Sequence, residues 1–255
     1  MNTPDRYREQ IAAVRERIAA AARRAERRPD DITLVVVSKY LDLAQTRILL
    51  ETIGPGAVLG ESRPQMLHQK AELLAGIFDG TPSMGEPANL LTMRFGGVTW
   101  HLIGPLQTNK IRMIAPWMDR LHSGESLAQL ETVSREMVRI GRTLPVLLEV
   151  NISGESAKHG FIPDEIEPLL PSLASLDGLR VDGLMGMTSL DADESETRRQ
   201  FAALRVLSER LSMNLPSEIR MEQLSIGMSD DFEIAIAEGA TLVRIGSLIT
   251  DPIGE

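Results

Sequence analysis

Apolar positions along this chain alternate between two rhythms. Near the start, Ile11, Val14, Ile18, Ala22 and Ala25 recur at helical spacing. Pro29 and the acidic pair Asp30-Asp31 are expected to end that helix. The run from Ile32 to Val37 is short, apolar and rich in β-branched residues, which predicts a strand buried on both faces, as in a parallel sheet. Similar runs recur at Ala57 to Leu59, Trp100 to Ile103, Arg120 to His122, Val146 to Val150, Val181 to Met185, Gln223 to Ile226 and Thr241 to Ile245, making eight. Helical patterns lie between them, most clearly over 42–53, 64–78, 125–141, 163–174, 193–212 and 230–238. In the fifth of these, Phe201, Leu204, Leu207 and Leu211 mark one buried face. Strand and helix in alternation make right-handed βαβ units and a parallel sheet. Eight units point to an α/β fold closed into a (β/α)8 barrel, preceded by an extra N-terminal helix. An open doubly wound sheet is the competing arrangement, because periodicity does not report whether the sheet edges meet.

The 255 residues suit one domain of this kind, spanning 1–255. Residues 79–98 break the rhythm with four Gly and two Pro, and read as a loop insertion before the third strand. Charge narrows the partners. With 27 Lys+Arg against 36 Asp+Glu, the net charge of −9 disfavours general nucleic-acid binding, which needs a basic face for phosphates. The Arg-rich start (Arg6, Arg8, Arg15, Arg17, Arg23, Arg24, Arg27, Arg28) is interleaved with Asp5, Glu9, Glu16 and Glu26, so it reads as a solvated helix and not as a transit peptide. No apolar run approaches the roughly 20 residues of a membrane span. The absence of cysteine excludes disulfides, thiolate metal sites and Cys nucleophiles, and fits a reducing compartment. A cytoplasmic monomer, with neither membrane nor nucleic-acid partner, is expected.

Ligands of a β/α barrel meet the C-terminal strand ends. The polar residues there are Ser38-Lys39, then Gly60-Glu61-Ser62, then His101 and Gly104, then His122-Ser123-Gly124-Glu125. They continue with Glu149, Asn151 and Ser153, with Met185, Met187 and Thr188, with Gly227-Met228-Ser229-Asp230, and with Arg244, Gly246 and Ser247. Lys39 closes a strand buried on both faces. Desolvation there would lower its pKa and free the amine to attack a carbonyl. The alternative is a lysine that snorkels to solvent, and on position alone that is the simpler reading. Two further segments shift the balance. Ser229 in I-G-M-S-D-D is a good N-cap, and free amides at that helix start suit an anion. Gly246 in R-I-G-S allows close backbone approach at the next strand end. The loops after the seventh and eighth strands form the usual phosphate site of such barrels. Taken together, an aldehyde-reactive amine faces a phosphate cradle, and pyridoxal 5′-phosphate carries both matching groups.

These residues also carry a resemblance. V-V-V-S-K-Y around Lys39, G-E-S-R-P-Q at 60–65, W-H-L-I-G-P-L-Q-T-N-K at 100–110, E-V-N-I-S at 149–153, G-L-M-G-M at 183–187, S-I-G-M-S-D-D at 225–231 and V-R-I-G-S at 243–247 are collinear and span most of the chain. In them the chain resembles the pyridoxal-phosphate homeostasis proteins (the YggS/PROSC type). The resemblance implies a TIM-like barrel similar to the N-terminal domain of alanine racemase, with the cofactor as an aldimine on Lys39. It implies phosphate contacts from Ser229 and from the backbone around Gly246-Ser247, with Met228 among the cofactor-binding residues, and it places Arg244 against the pyridine nitrogen. Val37, Glu61, Ser62, His101, Asn151 and Met185 are expected to line the pocket. The family is described as regulating pyridoxal-phosphate supply, without an established turnover. The chain departs from it at Gly60-Glu61-Ser62-Arg63, where the family reads G-E-N-Y, and in the length of 79–98.

The same site would serve a carrier or an amino-acid racemase. A two-base racemase needs a second acid/base opposite the lysine, a tyrosine in the alanine racemases. Only Tyr7 and Tyr40 exist here, one in the leading helix and one expected to point away from Lys39 on the strand pleat. No second domain is expected after residue 247. A cofactor carrier is therefore the preferred reading, with transient contact to apo pyridoxal-phosphate enzymes. His68, His101, His122 and His159 show no metal-ligand spacing. His101 is as well explained by a hydrogen-bonded core position as by the pocket. Glu61 is read as hydrogen-bonding before it is read as a base, and Lys158 as a surface lysine.

Overall fold

The computed structural model describes residues 3–78, 98–153, 159–189 and 191–251. Among them, α1 (Thr3–Arg24) precedes β1 (Thr33–Val37), α2 (Leu43–Ile53), β2 (Val58–Glu61), α3 (Pro64–Phe78), β3 (Thr99–Leu102) and α4 (Ile111–Ile114). Then come β4 (Arg120–Gly124), α5 (Leu127–Arg139), β5 (Leu144–Glu149), α6 (Ile166–Ala174), β6 (Leu179–Met185), α7 (Glu194–Ser212), β7 (Gln223–Ser225), α8 (Phe232–Ala237), β8 (Leu242–Ile245) and α9 (Ser247–Thr250). The eight strands pair in sequence order, and β8 pairs in parallel with β1, so the barrel is closed and the open-sheet alternative falls. Closure leaves no unpaired sheet edge.

Local chemistry explains the element starts. Asp42 accepts from the Gln45 amide while the Gln45 side chain accepts from the Asp42 amide, a reciprocal cap that starts α2. Ser126 and Asp193 cap α5 and α7 in the simpler way. The larger core lies between sheet and helices, with Leu49, Leu59, Trp100, Leu121, Val146, Phe201 and Leu204 all buried. A smaller cluster of Val35, Leu147, Met185 and Leu242 fills the barrel interior. Helix α1 buries Tyr7, Ile11, Val14, Ile18 and Ala22 and packs on α2, α8 and α9, which flank the β8–β1 closure.

Some boundaries differ from expectation. Helix α1 ends at Arg24, before Pro29, because the chain turns at Glu26 with a left-handed φ of 56°, and Ala25 lies outside the helix. Helix α8 begins at Phe232, two residues later than expected. Most of 79–98 lies outside the described residues; Val98 is buried just ahead of β3. Strand register decides which side chains point inward. Val35 pairs with Arg244, Glu149 with Met185, and Met185 with Ser225. Paired residues of neighbouring strands share a face, so Arg244, Glu149 and Ser225 point into the barrel with Val35 and Met185.

Candidate functional site

The end of β1 is held tightly while its lysine is left free. The Ser38 amide donates to the Gly60 carbonyl at 2.9 Å, and the Ser38 hydroxyl donates to the same oxygen at 3.4 Å. Residues 39–40 then form a turn beyond the strand. Lys39 is half-buried; its ammonium lies 4.8 Å from the centre of the Tyr40 ring and pairs with no carboxylate of the described residues. The expectation that Tyr40 points away on the strand pleat does not hold, because the pair sits in a turn where pleat alternation no longer applies. Tyr40 is exposed and its ring covers the amine.

At the neighbouring end of β2, Glu61 is fully buried and committed. One carboxylate oxygen accepts from the Ser62 and Arg63 amides at 2.9 and 3.2 Å, and the other takes Lys70 Nζ at 2.8 Å. That leaves little capacity for a ligand. Lys70, on the inner face of α3, is 1% exposed and also donates to the Ser38 carbonyl at 2.6 Å. Arg63 donates to the Lys39 carbonyl at 2.7 Å. Ser62 is half-buried against Gly104, whose missing Cβ makes room for it.

A polar chain crosses the interior. Arg244 Nη1 donates to the Ser225 hydroxyl and carbonyl at 2.6 and 2.7 Å, and Nη2 donates to the Gly186 carbonyl at 3.2 Å. Ser225 Oγ is 2.8 Å from His122 Nδ1, and His122 Nε2 is 2.9 Å from His101 Nδ1. Arginine can only donate, so the Ser225 hydroxyl accepts from Arg244 and shares its second bond with His122 Nδ1, while His122 Nε2 bonds His101 Nδ1. Burial, with Arg120 nearby, pushes the His101 pKa down to about 3. His122 is lowered by burial first, then by His101, Arg244 and Arg120. Both rings are neutral at pH 7. Burial lowers Arg244 to about 10 against the opposing pull of Asp231 and Glu149, so it stays charged at neutral pH. His101, an expected pocket residue, is tied into this chain.

The ends of β7 and β8 carry open backbone. Gly227 has φ 88°, and a Cβ there would come within 2.5 Å of the Ala235 Cβ, so only glycine makes this turn. Ser229 was expected to cap the following helix; instead Asp231 is the residue at its N-cap, and the Asp231 carboxylate accepts from the Met228 amide at 2.6 Å. Ser229 is thus released from capping, 9% exposed, and turns with Met228 at the strand end. Gly246 packs on β1: a Cβ there would press to 3.3 Å of the Val37 Cβ. Ser247 opens the short helix α9, whose first amides have no acceptor within the helix.

Opposite the end of β1 stands the end of β5. Glu149 points inward, is 8% exposed, and accepts no side-chain hydrogen bond from a described residue. Burial first, then Glu125, raises its pKa, opposed by Arg244 and His159. Asn151 is half-buried and accepts from the Ser153 hydroxyl at 3.2 Å, while Met185 belongs to the inner cluster. Lys70 is not marked in the sequence, and Glu149 is marked there only as one of the polar strand-end residues, without a role. Lys70 lies inside an ordinary helical pattern, whereas Glu149 could have been given weight from its inward register. No group of three or more His, Cys, Asp or Glu among the described residues could hold a metal, and Lys158 lies outside them.

The closed barrel is of the alanine-racemase class: residues 90–251 match the model of the alanine racemase N-terminal domain. Over 94% of the chain and 93% of the relative, the sequence is 34% identical to the pyridoxal phosphate homeostasis protein of Escherichia coli K12, and it matches the Pseudomonas aeruginosa protein of the same name equally well over the same shares. The chain belongs to the pyridoxal phosphate homeostasis protein family. Among solved structures, PipY of Synechococcus elongatus PCC7942 with PLP bound superposes with a TM-score of 0.75 at 27% identity, covering 95% of this chain and 99% of that one.

Proposed function

We propose that the chain carries pyridoxal 5′-phosphate as a Schiff base on Lys39 and serves intracellular cofactor homeostasis, in the cytoplasm, without robust turnover. The observation that carries this reading is an unpaired, half-buried amine at the end of β1, in a barrel whose neighbouring lysine is fully bonded. Family membership and the PLP held by PipY support it. The residues fit the group. Ser229 and the amides around Gly246-Ser247 offer donors for a phosphate, with the Met228 side chain beside them. Val37 and Met185 offer apolar walls, with Ser62 and Asn151 at the edge. Arg244, charged at pH 7, would be the residue held against the pyridine nitrogen, where its charge would disfavour protonation of the ring. The bound cofactor supplies an aldehyde and an electron-accepting ring. Residues 1–255 act as one monomeric cofactor-binding domain that meets apo pyridoxal-phosphate enzymes transiently. The test is the absorbance of the purified protein: the band of the bound cofactor vanishes in Lys39→Ala while circular dichroism is unchanged. A variant that keeps a stoichiometric, borohydride-reducible adduct sinks the assignment.

One observation favours a second reading, a racemase-like enzyme acting on amino acids. Strands β1 and β5 stand opposite each other in an eight-stranded barrel, so Glu149 faces the mouth from the side opposite Lys39. Its raised pKa suits a group that takes and returns a proton. Exchange of amino-acid α-protons in deuterated water separates the readings. Rates of order 1 s⁻¹ that are lost in both Glu149→Gln and Lys39→Ala establish the enzyme. Exchange no faster than with free cofactor establishes the carrier.

A further inference from the structure

We propose that Lys70 is a positioning residue for Lys39: paired with Glu61, it forms a buried ionic clamp that fixes the backbone on which the Lys39 amine is presented. This rests on the assignment of the cofactor to Lys39. Burying a charge pair is costly, and packing alone gives no reason for it. The other inward residues of α3, Leu67, Ala71 and Leu74, are apolar, and an apolar residue at position 70 would pack as they do. What Lys70 adds is a set of bonds. It donates at 2.6 Å to the Ser38 carbonyl and at 2.8 Å to Glu61, whose other oxygen is filled by the Ser62 and Arg63 amides. Arg63 then donates to the carbonyl of Lys39 itself at 2.7 Å.

Two consequences follow for Lys39. The carbonyls on both sides of its Cα are held by cations, one buried and one exposed, while the Ser38 amide is held by β2. A turn residue that would otherwise sample several backbone states is left with one, and the ordering cost of covalent capture is met before the aldehyde arrives. The clamp also keeps the Glu61 carboxylate turned into α3. Freed of Lys70, a carboxylate at the adjacent strand end becomes a competing partner for the Lys39 ammonium. The clamp therefore leaves the amine both oriented and unpaired.

The test compares two ligands that share ring and phosphate. Pyridoxal 5′-phosphate carries the aldehyde, and pyridoxine 5′-phosphate carries a primary alcohol that cannot bond covalently to lysine. Two variants of the full chain are titrated with each: the charge-neutral double substitution Glu61→Gln/Lys70→Met, and Arg63→Ala at the exposed arm. The double variant is expected to bind the aldehyde about tenfold more weakly, and Arg63→Ala roughly two- to threefold, with pyridoxine 5′-phosphate affinity held within about twofold in both. Borohydride trapping at Lys39 should slow in the same order. Equal weakening toward both ligands would reduce Lys70 to a structural residue and overturn the proposal, as would unchanged aldehyde affinity in the folded double variant. If the double variant does not fold, Arg63→Ala decides: unaltered trapping refutes the clamp. Failure of wild type to trap at Lys39 refutes instead the assignment on which the clamp rests.

Discussion

The barrel axis and the barrel rim use the same kinds of polar residue in opposite ways. On the axis, Arg244, Ser225, His122 and His101 are bonded one to the next, and burial keeps both rings neutral. On the rim, Lys39 and Glu149 stand at opposite strand ends, and neither forms an ion pair with a described residue. Buried polar groups are ordinarily satisfied. Where they are, as on the axis, they specify the interior. Where a half-buried amine and a nine-tenths buried carboxylate are not, the missing partner is to be sought in a ligand. The contrast also separates two lysines: Lys70, on α3, is bonded to Glu61 and Ser38, and Lys39, at the rim, has no carboxylate partner among the described residues.

The contrast predicts that axis substitutions cost stability and rim substitutions cost binding. The largest effect is expected from Arg244→Met, which leaves the Ser225 hydroxyl and carbonyl and the Gly186 carbonyl without their buried donor. A loss of roughly 2–4 kcal/mol in urea unfolding is expected, as for buried acceptors deprived of a charged donor. A loss below about 1 kcal/mol would mean the axis is not the stability element described here.

Next is the acid response. The folded pKa of His101 lies below its unfolded value, so its contribution is complete above about pH 6.5 and is lost as the pH falls toward 3. Between pH 7 and 5 this amounts to roughly 2 kcal/mol. His122 acts in the same direction. Asp119, Glu149 and Asp231, raised by burial, act in the opposite one. The measurement is therefore a difference: His101→Gln should show a shallower loss between pH 7 and 5 than wild type, and parallel curves would contradict a neutral buried ring.

On the rim, Ser229→Ala removes one donor to a charged phosphate, worth about 1.5–3 kcal/mol, or roughly 10- to 100-fold in affinity. Pyridoxal without phosphate should bind wild type and variant alike. An unchanged affinity for the phosphorylated cofactor would move the cradle elsewhere. The smallest stability effect belongs to Lys39→Ala, within about 0.5 kcal/mol of wild type because the side chain holds nothing else in place. A larger loss would make Lys39 a structural lysine and erase the contrast.

The sequence showed the fold in outline for a physical reason. A strand covered on both faces must be apolar throughout, and runs such as Ile32 to Val37 are conspicuous. Closure was not legible, because the pairing of β8 with β1 depends on strand register and not on residue type. In the site, strand-end position marks Lys39 and Arg244 only as candidates, and their proposed roles come from the resemblance. Ser229 was given the wrong local role, since Ser and Asp are comparable N-caps and the turn at Gly227 selects Asp231. Lys70 was illegible because its meaning lies in Ser38 and Glu61, which are distant in sequence and joined only by the barrel. His101 pointed both ways until His122 was seen to bond it.

The most direct measurement is reduction of the full-length protein with borohydride, followed by proteolysis and mass mapping of every lysine. The account predicts about one phosphopyridoxyl group per chain, on Lys39, with Lys70 unmodified. Label on Lys70, on Lys110 or spread over surface lysines, with Lys39 intact, would contradict it.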